Sequence, residues 1–193
     1  MKRNKIIEVA LKYFTIHGYE GASLSQIAKE VGIKKQSIYT HFHGKDDLFL
    51  QALRDAKETE LSLKLQYLNK MNLQDPKRAL YEYLQFVIDL FQEKEQLKFW
   101  LRMNFYPPAH LANTIEKEVI DLVEKERTIL ERIFQELIDA DEISVKTVKT
   151  PYFAFLGVVD SIMMELVYRK DDKRLKDKLE ASWTVFWKGI SKE

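Results

Sequence analysis

The chain has 193 residues, of which 32% are charged, and it carries 31 Lys and Arg against 30 Asp and Glu. Six Gly and four Pro are too few for a turn-rich β protein, and the absence of Cys excludes disulfides and thiolate metal sites. No run approaches the roughly 18 apolar residues of a membrane span, and the start lacks the apolar core of a signal peptide, so we expect a soluble, cytoplasmic, all-α protein.

The N-terminal part of the chain is basic. Residues 1–45 hold eight Lys and Arg against three Glu, a net charge of +5, whereas the other 148 residues carry a net charge of −4. A first helix is predicted over residues 3–17, with apolar residues along one side and Gly18 at its end. Positive charge gathered at one end of a nearly neutral chain is typical of a segment that binds phosphate groups.

A short helix is predicted over residues 24–31, because its apolar residues recur at the spacing of one helical stripe. Ser23 and Gln26 form the sequence of a capping box at its start. Gly32 is predicted to end the helix, since a glycine adopts the left-handed conformation at little cost.

A second short helix, residues 35–42, follows that glycine. Its apolar residues Ile38 and Phe42 lie one turn apart and are predicted to face inward. Two short helices joined by a tight turn, the second outwardly basic, indicate a helix-turn-helix. The alternative is any small helical hairpin with a solvated polar face. The outward residues are Lys34, Lys35, Gln36, Ser37, Thr40 and His41.

Residues 3–50 resemble the N-terminal domain of TetR-type transcriptional repressors. The resemblance implies a DNA-binding domain over residues 1–46 and a helical effector-binding and dimerisation domain over residues 47–193. It also implies a homodimer that represses from a palindromic double-stranded DNA operator and leaves it when a small molecule binds. The resemblance covers about a quarter of the chain. Its matching positions are Ala10, Phe14, Gly18, Ser23, Ile27, Ala28, Gly32, Tyr39, Phe42, Lys45 and Leu48.

The same resemblance assigns phosphate contacts to Tyr39, His41 and Lys45, and Ser23 offers a hydroxyl or a backbone amide to another phosphate. Contacts of this kind position the protein on DNA without reading its sequence. For Tyr39 the alternative is core packing.

Base reading falls to the early exposed residues of the second helix. Lys35 can donate to guanine, and Gln36 has the amide geometry that pairs with adenine N6 and N7. Thr40 can contact a thymine methyl group or a phosphate. Lys34 departs from the family, which often has Ser or Thr there, and Gln36 stands where a small residue is common. The alternative for Lys35 and Gln36 is a solvated helix face.

Six more helices are predicted, about nine in all. The start of the eighth is open: either Thr150 caps it with Pro151 at its first position, or it begins near Ser144 and kinks at Pro151. The fourth to seventh helices are predicted to run from Asp46 to about Lys70 and over residues 76–92, 95–105 and about 111–138. The eighth is predicted to end near Arg169, and the ninth to begin at Asp172.

An aromatic-rich group of residues is predicted to bind the effector, which we expect to be apolar or aromatic. The alternative for these residues is ordinary core. Asp160 and Glu165 are acidic residues on the otherwise apolar eighth helix, where they either orient a cationic ligand or pair across a dimer. The predicted ligand-binding residues are Phe99, Trp100, Met103, Phe105, Tyr106, Phe153, Asp160, Met163 and Met164.

The last two helices are the predicted dimer interface, because in the family they form a four-helix contact between subunits. Gly157 would permit close approach of two helices, and Trp183, Phe186 and Trp187 supply large side chains for anchoring.

Catalysis has no support in the sequence. His41 and His43 are two residues apart and would face opposite sides of a helix, so they do not form a metal pair. The chain has no phosphate-binding glycine loop and no metalloprotease or serine-hydrolase motif. We therefore expect no cofactor, no metal and no enzymatic activity. The alternatives to a regulator are a helical ligand-binding or adaptor protein with a vestigial helix-turn-helix and, behind it, a small helical enzyme.

Overall fold

A computed structural model describes residues 2–168 and 171–192 of the chain. Nine α-helices and one 3-10 turn account for the regular structure of these residues, none of which lies in a strand. The predicted all-α class is confirmed. The elements are α1 (Lys2–Gly21), α2 (Leu24–Val31), α3 (Gln36–Tyr39), α4 (Lys45–Asn69), α5 (Pro76–Glu93), α6 (Glu95–Phe105), the 3-10 turn Ala109–Leu111, α7 (Ala112–Asp139), α8 (Lys149–Tyr168) and α9 (Asp172–Ile190).

Most helix ends lie close to their predicted positions, and the departures have local causes. The backbone leaves the helical conformation at Gly18 (φ 69°), as predicted, but α1 resumes for one further turn to Gly21. Helix α8 begins at Lys149, so Pro151 lies in its first turn, where the missing N–H costs nothing. No kinked helix from Ser144 forms. The predicted end of this helix at Arg169 lies outside the described residues.

The chain divides into two compact units that differ from the predicted domains. The first comprises the residues up to Glu60 together with Lys94–Asp121, and the second comprises Leu61–Glu93 and the described residues from Leu122 onward. The predicted boundary after residue 46 does not coincide with this division. The reason is that α6 and the first part of α7 pack with the N-terminal helices.

Aromatic packing joins α1, α4 and α6 inside the first unit. The ring centroids of Phe14 and Phe49 lie 4.9 Å apart, and Phe99 lies 5.8 Å from Phe49 and 6.5 Å from Phe14. All three side chains are buried. Contacts of this type stabilise a core beyond the area that they bury. The helix-turn-helix therefore rests on a core that includes α6.

Ion pairs join α4 to α7 within the first unit. The ammonium group of Lys57 is buried and lies 2.6 Å from Glu118 and 3.0 Å from Asp121, and the Nε of Arg54 lies 2.7 Å from Glu118. Because a charge without a partner is costly to bury, these carboxylates are what permit Lys57 to lie inside.

The second unit has its core between α5, α7, α8 and α9. Rings of Tyr83, Phe134 and Phe186 surround Phe155, with centroids 5.5–6.2 Å away. Among the described helices, only α8 is long and apolar enough to cross a membrane, judged by length and composition. Close to half of its most apolar stretch is buried inside the protein.

Candidate DNA-binding site

Helix α2 starts at the predicted capping box. The amide of Gln26 donates to the hydroxyl of Ser23 at 3.3 Å, and the amide of Ser23 donates back to the side-chain oxygen of Gln26 at 3.0 Å. These bonds satisfy two of the amides that a helix start leaves without partners. Ser23 is thereby committed to the cap, and its side chain is half-buried.

The turn between α2 and α3 depends on Gly32. Its φ of 79° lies in the left-handed region, where a side chain would be strained. The amide of Ile33 donates to the carbonyl of Ala28 at 2.9 Å, which closes the helix end. The predicted tight turn is therefore present and it orients α3 against α2.

Helix α3 is shorter than the predicted 35–42 and has no side-chain cap. It begins after Lys35, whose side chain makes no capping bond, in line with the departure from the family at Lys34. The hydroxyl of Thr40 donates to the carbonyl of Ser37 at 2.8 Å, so the chain leaves the helix there in a turn.

The two faces of the α3 segment divide as predicted. Ile38 and Phe42 are buried, with exposed fractions of 0% and 2%, whereas Tyr39 is 52% exposed. The core-packing alternative for Tyr39 is therefore excluded. One surface gathers the remaining predicted DNA contacts, which are exposed except for the half-buried Ser37: Lys34, Lys35, Gln36, Ser37, Thr40 and His41.

Lys45 opens α4 beside this surface. Its ammonium group lies 4.2 Å from the ring centroid of Tyr19 and 3.5 Å from the carbonyl oxygen of Glu20. The hydroxyl of Tyr19 donates to the carboxylate of the next residue, Asp46. That bond, with His110 close by, holds the pKa of Asp46 below its ordinary value, while burial and Asp46 raise the pKa of Tyr19.

The predicted ligand-binding residues do not share one environment. In the first unit, Phe99, Trp100 and Met103 are buried, and Phe99 belongs to the aromatic core described above, whereas Phe105 and Tyr106 are exposed. In this structure Phe99 supports α1 and α4, and its role as a ligand contact stays a prediction. In the second unit, Met163 is buried, and the exposed residues are Phe153, Asp160 and Met164.

The large residues of the predicted dimer interface are core residues of the second unit. Trp183, Phe186 and Trp187 are each no more than 8% exposed. The ring of Trp183 packs on both others, with its centroid 5.5 Å from that of Phe186 and 5.6 Å from that of Trp187. They therefore pack within the second unit, and their part in a dimer interface stays a prediction. Gly157 is exposed.

Several buried polar contacts that α4 makes with α6 and α7 were not predicted from the sequence. The indole of Trp100 donates to Glu60 at 2.6 Å in the first unit, and Lys64 lies 3.1 Å from Glu126 in the second. The signal was present in the spacing of Lys57, Glu60 and Lys64, which repeat at three and four residues and so share one face of α4. Glu165, left open above, is paired within the chain to Arg174 and Lys178.

Residues 6–52 match the sequence pattern of the family described as bacterial regulatory proteins, tetR family. The match spans both helices of the motif, the Gly32 turn and the start of α4. The matched segment, residues 6–52, has the sequence of a TetR-type N-terminal domain. The resemblance inferred from the residues of that segment is thus confirmed.

Comparisons over longer stretches agree with a TetR assignment. The chain is 30% identical over 121 residues, 62% of each protein, to the biofilm operon icaADBC negative transcriptional regulator IcaR from Staphylococcus aureus strain Newman. It thus spans less than two thirds of the length of that relative.

Solved structures share the fold along nearly the whole chain. FadR from Bacillus subtilis, solved in complex with stearoyl-CoA, has a TM-score of 0.73 at 18% identity and covers 97% of this chain and 98% of its own. A TetR-family regulator from Agrobacterium tumefaciens has a TM-score of 0.73 at 18% identity, with coverages of 98% and 97%. At this identity the likeness shows a common TetR fold.

Proposed function

We propose that this chain is a DNA-binding transcriptional regulator that acts in the cytoplasm and represses transcription from a palindromic operator as a homodimer. One observation carries the proposal: Ile38 and Phe42 anchor the α3 segment while its basic and amide-bearing residues face outward. A helix held in this way, at the basic end of the chain, suits insertion into the major groove. The assignment of residues 1–46 to DNA binding is part of this proposal.

Repression and release by a ligand rest on the relatives. IcaR is described as a negative regulator, and FadR of the same fold was solved with stearoyl-CoA. By analogy, we assign a small-molecule effector to the part of the chain that follows the DNA-binding residues. Such an effector can release DNA only by binding more tightly to a conformation that DNA disfavours.

We assign the dimer contact to a surface on α8 and α9. The exposed residues of α8 at positions 154, 157 and 164, and those of α9 at 181, 185 and 189, recur at helical spacing and are small or apolar. Val185 is 73% exposed and Met164 is 49% exposed, which is unusual for apolar residues on neighbouring helices. We name this surface the α8–α9 stripe, and its members are Ala154, Gly157, Met164, Ala181, Val185 and Gly189.

The proposal is tested by a gel-shift titration of the purified chain against the DNA upstream of its own gene and a mixed-sequence duplex of the same length. We expect salt-dependent binding to both, because phosphate contacts release counterions, and tighter binding to the upstream DNA if it holds the operator. Absence of binding to any duplex at low salt would contradict the proposed function and favour a ligand-binding or adaptor protein.

A further inference from the structure

A cluster of four side chains surrounds the start of α4, within the first unit. Asp46 accepts a hydrogen bond from Tyr19 of α1, and its carboxylate lies 3.4 Å from the Nε2 of His110 in the 3-10 turn. The ring centroids of Tyr19 and His110 lie 5.1 Å apart. The ammonium group of Lys45 lies over the Tyr19 ring, 4.2 Å from its centroid. We name these residues the Tyr19 cluster.

Tyr19 separates a base from an acid that are neighbours in the chain. Its hydroxyl holds Asp46, and its ring face holds Lys45, so the carboxylate is engaged away from the ammonium group. An ammonium group over an aromatic face keeps its charge and can still donate hydrogen bonds. Lys45 is therefore available for a phosphate in a way that it would not be if it paired with Asp46.

Asp46 carries a negative charge beside the proposed phosphate contact, where it repels DNA. Hydrogen bonding from Tyr19 holds the pKa of this carboxyl below its ordinary value, so it stays ionised near neutral pH. The imidazole of His110 faces this carboxylate and carries a positive charge only when it is protonated. A protonated His110 cancels the carboxylate charge, and a neutral one leaves it.

We infer that Tyr19, Asp46 and His110 are positioning residues for the Lys45 phosphate contact, and that protonation of His110 strengthens DNA binding. The inference rests on the proposed function, since it requires Lys45 to meet DNA. His110 lies 64 positions beyond Asp46 in sequence, so this role is a property of the folded first unit and is absent from the helix-turn-helix alone.

Other charged groups near the cluster set its limits. Glu20 adds a negative charge next to Tyr19, and Asp47 is occupied by the backbone amide of His43 at 2.9 Å. The side chains of Asp46 and His110 are 52% and 49% exposed, so water and salt screen their interaction. Because both heads of a dimer contribute, we expect an effect of about threefold to tenfold on DNA affinity rather than an on–off switch.

The test measures the affinity of the full chain for a mixed-sequence duplex of about 30 base pairs, which is long enough to contact two heads one helical turn apart. Phosphate contacts need no operator, so this probe suffices. Affinity is measured at pH 6 and pH 8 for the wild type and for His110→Gln, which retains an amide donor and loses the titratable proton. His43→Gln is the matched control, because His43 is also exposed but its side chain is not placed against Asp46.

We expect the ratio of affinities at pH 6 and pH 8 to fall by about threefold to tenfold in His110→Gln relative to the His43→Gln control. Asp46→Asn should bind more tightly than wild type at pH 8, and adding His110→Gln to it should change nothing further, since the charge that His110 cancels is gone. Tyr19→Phe should weaken binding at both pH values and lower its salt dependence, as Asp46 becomes free to pair with Lys45.

Two outcomes overturn the inference: a full pH response in His110→Gln, or effects of Asp46→Asn and His110→Gln that simply add. The Lys45→Ala variant shows whether such a result contradicts only this inference or the proposed function as well. If Lys45→Ala weakens binding while His110→Gln behaves as wild type, DNA binding stands and the role of His110 falls. If the wild type binds no duplex, the proposed function itself fails. Circular dichroism of each variant confirms that it is folded.

Discussion

Single residues of the proposed DNA surface differ in what they are expected to do. Lys45 is a charge that meets the backbone, and Lys45→Ala should weaken binding by a similar factor on all sequences. It should also lower the slope of log affinity against log salt by about one ion. Lys12→Ala, which removes a lysine that pairs with Glu30 on the same unit, is the control. Equal salt slopes for the two variants would contradict the assigned contact.

Gln36 is expected to read a base, because its amide is exposed at the start of α3. Gln36→Ala should lose roughly 1–3 kcal/mol on one preferred base pair and relax the choice there, with little effect at other positions. The measurement is a binding profile over all single-base variants of the operator. A profile that keeps the same preference at every position would rule out Gln36 as a reader.

Glu118 provides a pH-dependent contribution to stability. Burial opposes its ionisation, yet hydrogen bonds from Lys57 and Arg54 hold its pKa below the ordinary value of 4.5. A lowered folded-state pKa adds stability above the unfolded value, and that stability is lost as the pH falls through the folded one. Glu118→Gln should therefore reduce the free energy of unfolding by about 1–2 kcal/mol at pH 7 and by less near pH 4.

Urea unfolding at the two pH values checks this, with Glu116→Gln on the exposed side of α7 as the control. A loss in Glu118→Gln that is the same at pH 7 and pH 4 would mean that the charge on Glu118 contributes nothing.

At the scale of elements, the sequence correctly predicted the features that depend only on residues a few positions apart. The capping box of Ser23 and the left-handed Gly32 are present because each depends on residues a few positions away. The end of α3 was predicted three residues too late, since hydrophobic periodicity does not distinguish the turn at residues 40 and 41 from a further helical turn. The start of α8 was narrowed to two positions by Pro151, and the helix begins at Lys149, next to the predicted cap Thr150 and not near Ser144.

The α8–α9 stripe yields a prediction about where two copies of the chain meet. Val185→Glu places a charge on the exposed apolar face and should convert the dimer to monomers, because an unpaired charge is costly in a dry interface. Operator binding should be lost while helicity is retained. Thr184→Glu, the neighbouring exposed position, is the control. Sedimentation velocity distinguishes the two, and a Val185→Glu variant that stays dimeric would place the interface elsewhere.

Trp183→Glu is expected to behave differently from Val185→Glu. Trp183 is buried against Phe186 and Trp187, so the substitution should destabilise the second unit itself.

At the scale of the whole molecule, the sequence predicted the all-α class but not the way in which the helices divide between two units. The basic N-terminal part and its helix-turn-helix could be found from residues close in sequence. The division into two units could not, because it depends on α6 packing on α1 and on Lys57 pairing with a carboxylate 61 positions away. For the same reason the sequence could not show that Phe99 and Trp183, predicted as a ligand contact and a dimer contact, are buried in the cores of their own units.

The most direct test of a homodimeric, operator-binding regulator is selection of DNA by the wild-type chain from a random-sequence pool, followed by sequencing. We expect a single enriched palindrome whose half-sites lie about one helical turn apart, since each subunit inserts one α3 segment into the major groove. Enrichment of a lone half-site would contradict the dimer, and a selected pool no different from the input would contradict sequence-specific binding altogether.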